Sequence, residues 1–380
     1  MGNNNVVKKP VRDSRFELLR IFAIIMIVFN HFSSHGVLKV GTGEQYVMWN
    51  AGPTFNKLLT MWFSPGGRVG VGIFFMLSGY FMITSTKARK VSKLIAQAIF
   101  FAFFCAIVSL VFHFFLGNPS GLNLQTLALR IFRSVTGPVS SSAWWYITVY
   151  ILIVFASPLL NKYVGTLSKK KYIFVLLYFW IFAYGFGVFN GVTFSDLSKG
   201  LFFYFLGGYV KLFVKPNKGA TAQIIRLCVA GLFWALTAGM GYFAAADKYK
   251  PMITALVGMV LPYIQAFLFV PICALALFLF FNDFRIKPSA LINRIASAVF
   301  GIYLFHDSNL TRGIIWNLAK VDKQFDSGAF IITAVLTCFA VLFVSFMVEW
   351  FSRLIVPLIE RLINKIFDYL FKDAANSAKA

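Results

Sequence analysis

Apolar runs separated by short basic connections repeat along the whole chain, and their lengths are those of membrane-crossing helices. A helix rises about 1.5 Å per residue and needs about 20 residues to cross the hydrocarbon. On that measure the pattern predicts spans over 16–35, 69–86, 94–116, 143–161, 172–189, 197–214, 223–246, 252–281, 295–311 and 328–350. The fold class is all-α, a polytopic bundle of about ten transmembrane helices. The polar stretch 117–142 has room for an interfacial helix carrying Arg130 and Arg133, and the loop after the first span carries Gly41, Gly43, Gly52 and Pro53. Pro262 and Pro271 predict kinks in the eighth span. Residues 1–13 read as a disordered tail, 14–352 as the transmembrane domain, and 353–380 as an amphipathic helix and tail.

The first run differs from the others. Its uninterrupted apolar core, Ile21 to Phe29, is too short to span, so polar groups must enter the bilayer at both ends. Glu17 and Arg20 stand at one end, and Asn30, His31 and His35 at the other. Arg20 and His31 are three helical turns and roughly 20° apart, so they share one stripe about 16 Å long. Glu17 and His35 fall within about 60° of it. Ionisable groups at such depth are costly and face a bundle interior or a watery cavity.

Composition fits the periodicity. The chain of 380 residues is 59% hydrophobic with 46 Phe, and only 13% of it is charged. The net charge of +23 resides in the connections and forms no continuous basic domain, so nucleic acid is not an expected partner. Most of the 36 Lys and Arg residues fall on the side of the N-terminus, which places both termini in the cytosol of a plasma-membrane protein. The charged start before Ile21 looks like a signal peptide but lacks a small-residue cleavage site, and it reads as a retained first helix. Cys105, Cys228, Cys273 and Cys338 all lie in apolar runs as packing residues.

Among the polar residues, His31 is a candidate base and Arg20 a candidate anchor for a phosphate, with Glu17 pairing it at i, i+3. The i, i+4 pair His31 and His35 has no acidic or Cys companion nearby, and no metal is expected. His306 and Asn309 lie on one face of the ninth span, with Asp307 beside them and Arg312 at its end. Trp144, Trp145 and Tyr146 read as an interfacial aromatic belt whose faces also suit sugar rings. Gly70, Gly72 and Gly79 read as points of close helix contact.

Glu17, Leu19 and Arg20, with His31 following, resemble the opening motif of the membrane-bound acyltransferase-3 family. Gly70-Val71, Phe74, Phe75 and Leu77 to Tyr80 are similar to its second-helix segment. Trp145-Tyr146, Ser157 to Asn161, Leu206 to Tyr209 and Gly301 to His306 follow in order, so the resemblance runs from about 14 to 355. It implies an O-acyltransferase that moves an acyl group, commonly acetyl from acetyl-CoA, to a hydroxyl of a cell-surface or lipid-linked carbohydrate. Acyl-CoA is then a co-substrate and no cofactor is held permanently. His31 with Glu17 would be catalytic, Arg20 and Arg15 would hold the coenzyme, and Arg68, Trp145, Tyr146, Tyr303, His306 and Asn309 would serve the acceptor or the transition state. Direct attack and transient acylation of His31 both fit. The lipid bilayer and the carbohydrate are the expected partners, and a homo-oligomer is compatible. A transporter or flippase for a lipid-linked sugar is the alternative, since it too wants a polar stripe and a broken helix.

Overall fold

The structure is a computed structural model and describes residues 12–39, 54–87, 91–139, 144–185, 196–244 and 264–370. Among them only helices and turns occur. Helix α1 covers Ser14–His31, where the Asp13 side chain accepts from the Arg15 amide as an N-cap, and it runs on into a π-helical turn over Phe32–Val37. Then come α2 (Phe55–Phe63), α3 (Gly66–Met82), α4 (Ser92–Phe115) and α5 (Leu124–Thr136). Next are α6 (Trp145–Val164), α7 (Lys169–Trp180, with a π turn Ile181–Gly185), α8 (Asp196–Phe213) and α9 (Ala220–Ala244). A π turn Gln265–Phe269 leads into α10 (Val270–Asp283), followed by α11 (Ala290–Ala296), α12 (Val299–His306), α13 (Arg312–Ala319) and α14 (Phe330–Leu370).

Six helical segments of the described residues are long and apolar enough to cross a membrane, at 14–37, 92–115, 145–164, 220–242, 265–283 and 330–369. Large apolar side chains such as Leu159 and Leu336 stay exposed on their outer faces, as lipid-facing positions require. The chain is thus a multi-pass membrane protein. Its centre is α3, which packs between α1 and α8. Glycine makes that possible: a Cβ on Gly79 would strike the backbone carbonyl of Tyr204, and one on Gly207 that of Met76. Asn161 of α6 closes the same layer, donating to the carbonyls of Met82 and Ser85 at 2.7 Å each and accepting from the Tyr204 hydroxyl at 2.8 Å. Because Gly66 meets Met26 and Phe16 meets Phe81, α3 runs antiparallel to α1, with its first turn at the level of Asn30 and His31.

Three expectations change. The ninth span is not one helix over 295–311 but α11 and α12, broken at Ser297 and Ala298 and ended by Asp307-Ser308-Asn309. Ser297 turns its hydroxyl back on the Arg294 carbonyl at 2.6 Å, and the short polar side chains after His306 compete with helical bonding. Asn309 therefore leaves the helix face it was expected to share with His306. The tail helix is not separate from the tenth span, because α14 continues through Trp350 and Arg353 for 41 residues with Pro357 inside it. No residue from 350 to 353 interrupts a helix. Finally, part of the expected first loop is α2, capped by Thr54 accepting from the Lys57 amide. Pro262, Gly41, Gly43, Gly52, Pro53 and the ends 1–11 and 371–380 lie outside the described residues.

Candidate functional site

A cavity of about 410 Å³ follows α3 along its length, walled by α1, α6 and α12. Arg20, Ile24, Ile27 and His31 face it from α1, so the two ends of the predicted stripe open onto one space. At the Arg20 end Arg12 and Lys93 join the lining, a cationic rim. Arg20 donates to the Glu17 carboxylate at 2.6 Å. Glu17 is buried behind it and, fourteen residues along the helix, lies about 21 Å from the His31 level. It touches the guanidinium and not the imidazole. Arg15 is also placed elsewhere: it donates to Asp13 at 2.6 Å and to the carbonyl of Asn282, outside the lining. That guanidinium holds the Asp13 carboxyl below the usual carboxylate value.

At the other end the break after α12 delivers His306 onto α1. His306 Nδ1 lies 2.6 Å from the Ile302 carbonyl, and its Nε2 lies 3.0 Å from His31 Nδ1. A carbonyl only accepts, so His306 Nδ1 must carry its proton and donate. In the neutral ring Nε2 then holds the lone pair, and His31 Nδ1 must donate to it. The chain of bonds leaves His31 Nε2 as the free basic nitrogen. Asp307 Oδ1 stands 3.7 Å from His31 Nδ1 and 3.3 Å from Arg312 Nη1, while Arg312 Nη2 reaches Asn309 Oδ1 at 3.3 Å. Arg312 thus ties Asp307, which lines the cavity beside His31, to Asn309. Asn309 contacts the carboxylate's guanidinium partner and is absent from the cavity lining.

The π turn brings His35 within 5.0 Å of the His31 ring. Donor atoms of His31, His35 and Asp307 lie within 4.8 Å of one another, a set that could hold a metal ion. Sequence reading missed it because the carboxylate arrives from the other end of the chain. Tyr303 lines the cavity with its hydroxyl buried near the Tyr146 backbone, and its ring sits edge-on to Tyr146 at 5.8 Å. Trp145 and Tyr146 are cavity walls rather than a belt at a lipid boundary. The Trp144 side chain is fully buried, so it is packing and not an interfacial anchor.

Arg68 lies in a different space. A second cavity of about 510 Å³ is bounded by the first turns of α3, the end of the α7 π turn and the starts of α8 and α10. Gly67, Val71 and Trp145 line both cavities and form the partition between them.

Residues 13–350 match the model of the third acyltransferase family, described as an acyltransferase domain. No curated protein and no solved structure matches the chain.

Proposed function

The chain belongs to the acyltransferase-3 family and is a membrane acyltransferase, and from that premise we propose that it moves an acetyl group from cytosolic acetyl-CoA to a hydroxyl of a cell-surface or lipid-linked carbohydrate in the plasma membrane. The observation that carries this reading is the single cavity onto which both Arg20 and His31 open. Coenzyme A bears several phosphates and cannot enter hydrocarbon. Its charged part stays at the rim with Arg12, Arg20 and Lys93, where a planar guanidinium suits a phosphate, and Glu17 orients Arg20. The thioester reaches inward past Ile24 and Ile27.

His31 Nε2, freed by the bond from Nδ1 to His306, then accepts the proton of the attacking hydroxyl. The hydroxyl oxygen bonds to the thioester carbonyl carbon, the carbon–sulfur bond breaks, and the departing thiolate receives the proton from the imidazolium. The developing imidazolium is stabilised by Asp307 beside it. Tyr303, with a buried hydroxyl in the lining, is the side chain suited to donate to the oxyanion. His306 positions His31 and need not touch the substrate.

The experiment is direct. Purified protein with labelled acetyl-CoA should release CoA and label a carbohydrate acceptor. NMR of surface glycans should show O-acetyl ester in cells with the gene and none in cells carrying His31→Ala. An unchanged ester content, or a thioester left intact by the wild-type protein while a lipid-linked sugar crosses the bilayer, would turn the reading toward a transporter.

A further inference from the structure

The second cavity carries a charge that the described residues do not balance. Arg68 is exposed to it from the second residue after the start of α3, and no described side chain forms an ion pair or hydrogen bond with its guanidinium. The other cations nearby are matched. Lys199, which also lines this cavity, is bound to Asp196 at 3.0 Å, so the pair is neutral and Arg68 leaves one net positive charge. Arg20, Arg226 and Arg312, elsewhere in the helical body, each hold an acidic partner at 2.6, 2.8 and 3.3 Å. The Arg68 side chain is exposed to this space, so its guanidinium stands open to an incoming anion, which it can bind through two parallel hydrogen bonds. None of the described side chains takes that place.

Its place narrows what brings that anion. The cavity lies at the Asn30 level of α1, where Gly67 meets the Asn30 side chain, and it is remote from the cationic rim. Gly67, Val71 and Trp145 line both this cavity and the one onto which His31 opens. Trp145 offers an aromatic face for a sugar ring, and the guanidinium fork fits a carboxylate or phosphate oxygen pair. Resting on the transferase reading above, we propose that this second cavity is the acceptor's chamber and that the acceptor is an acidic carbohydrate, whose carboxylate or phosphate is held by Arg68 while a hydroxyl of the same molecule reaches past Trp145 into the cavity onto which His31 opens.

The probes are 4-nitrophenyl β-D-glucuronide and 4-nitrophenyl β-D-glucoside, which differ only at C6, a carboxylate in one and a hydroxymethyl group in the other, with the corresponding glucose 6-phosphate glycoside as the phosphate arm. Binding to the full-length protein in detergent is measured calorimetrically. Wild type should bind an acidic glycoside at least tenfold more tightly than the glucoside, and which of the two is tighter identifies the anion. Arg68→Gln should bind all three alike, Arg68→Lys should keep part of the preference, and Arg20→Gln, at the other cavity, should keep all of it. Equal affinities in wild type, no binding of any of the three, or a preference that follows Arg20 instead of Arg68 overturns the proposal. If Arg68→Gln binds nothing, Arg68→Lys decides: a retained preference supports the ion pair, and its loss refutes it. Thioester turnover in the same preparations is a separate readout. A wild-type protein that discriminates the acidic glycosides but never cleaves acetyl-CoA would sink the transferase reading and leave the anion chamber standing.

Discussion

The two cavities that share Trp145 are built on opposite plans. The first follows α3 along its length and separates its charges, with cations at one end and imidazoles at the other, joined by aliphatic walls. The second follows only the first turns of α3 and gathers its charges in one place, with one matched pair and one unmatched guanidinium. A long passage with a charged mouth suits a molecule that must keep one end in water while the other reaches the interior. A short one with a single fixed cation suits a molecule recognised where it reacts. The contrast explains why two arginines on adjacent helices have different surroundings: Arg20 has an acid behind it to aim it, and Arg68 has none among the described residues.

The most severe way to break this contrast is to remove the imidazole. His31→Ala should lower acetyl transfer about 100- to 10,000-fold, the range for loss of a general base, while acetyl-CoA binding at the rim persists in equilibrium dialysis. Next comes His306→Ala, which frees the His31 ring to rotate and to take the wrong tautomer. Loss of a hydrogen bond to a group that becomes charged costs about 1.5–3 kcal/mol, or roughly ten- to a hundredfold in kcat, with the KM for acetyl-CoA unchanged. His306→Gln keeps an acceptor for the Nδ1 proton and should recover much of that rate, which a role in packing alone does not foretell.

Substitution of Gly79 by Val tests the α3–α8 seam that holds the bundle under both cavities. It forces α3 away from the Tyr204 carbonyl of α8 and should cost about 1–3 kcal/mol of stability, read as a lower thermal midpoint in detergent. Trp145→Ala is the mildest and sharpens the comparison most. Opening the partition lets water reach the thioester, so acetyl-CoA hydrolysis without acceptor should rise on the order of a few-fold, while transfer to the acceptor falls.

How much of this was readable beforehand depends on sequence separation. The Arg20 to His31 stripe follows from helical periodicity over eleven residues, and α1 keeps that periodicity up to the π turn. The meeting of His31 with His306 involves residues 275 apart, and no local pattern foretells it. It also depends on the break at Ser297 and Ala298, which an apolar run from Ala296 to Phe305 conceals. Arg15 and Arg12 look equivalent in the basic N-terminal cluster. The choice between them is made by Asp13, whose N-cap carboxylate captures Arg15, and by the Asn282 carbonyl from α10, leaving Arg12 for the rim. Asp307 joins His31 and His35 for the same long-range reason. The glycines of α3 were legible as contact points, but their partners Tyr204 and Met76 were not.

A dividing wall made of one indole, one valine and one glycine changes what turnover demands of the protein. If the donor enters from the rim and the acceptor from the second cavity, as proposed, neither has to cross the bilayer, and no half of the bundle has to rock against the other to expose first one side and then its opposite. A hydroxyl that reaches past the indole then meets the thioester while the helices stay clamped at Asn161.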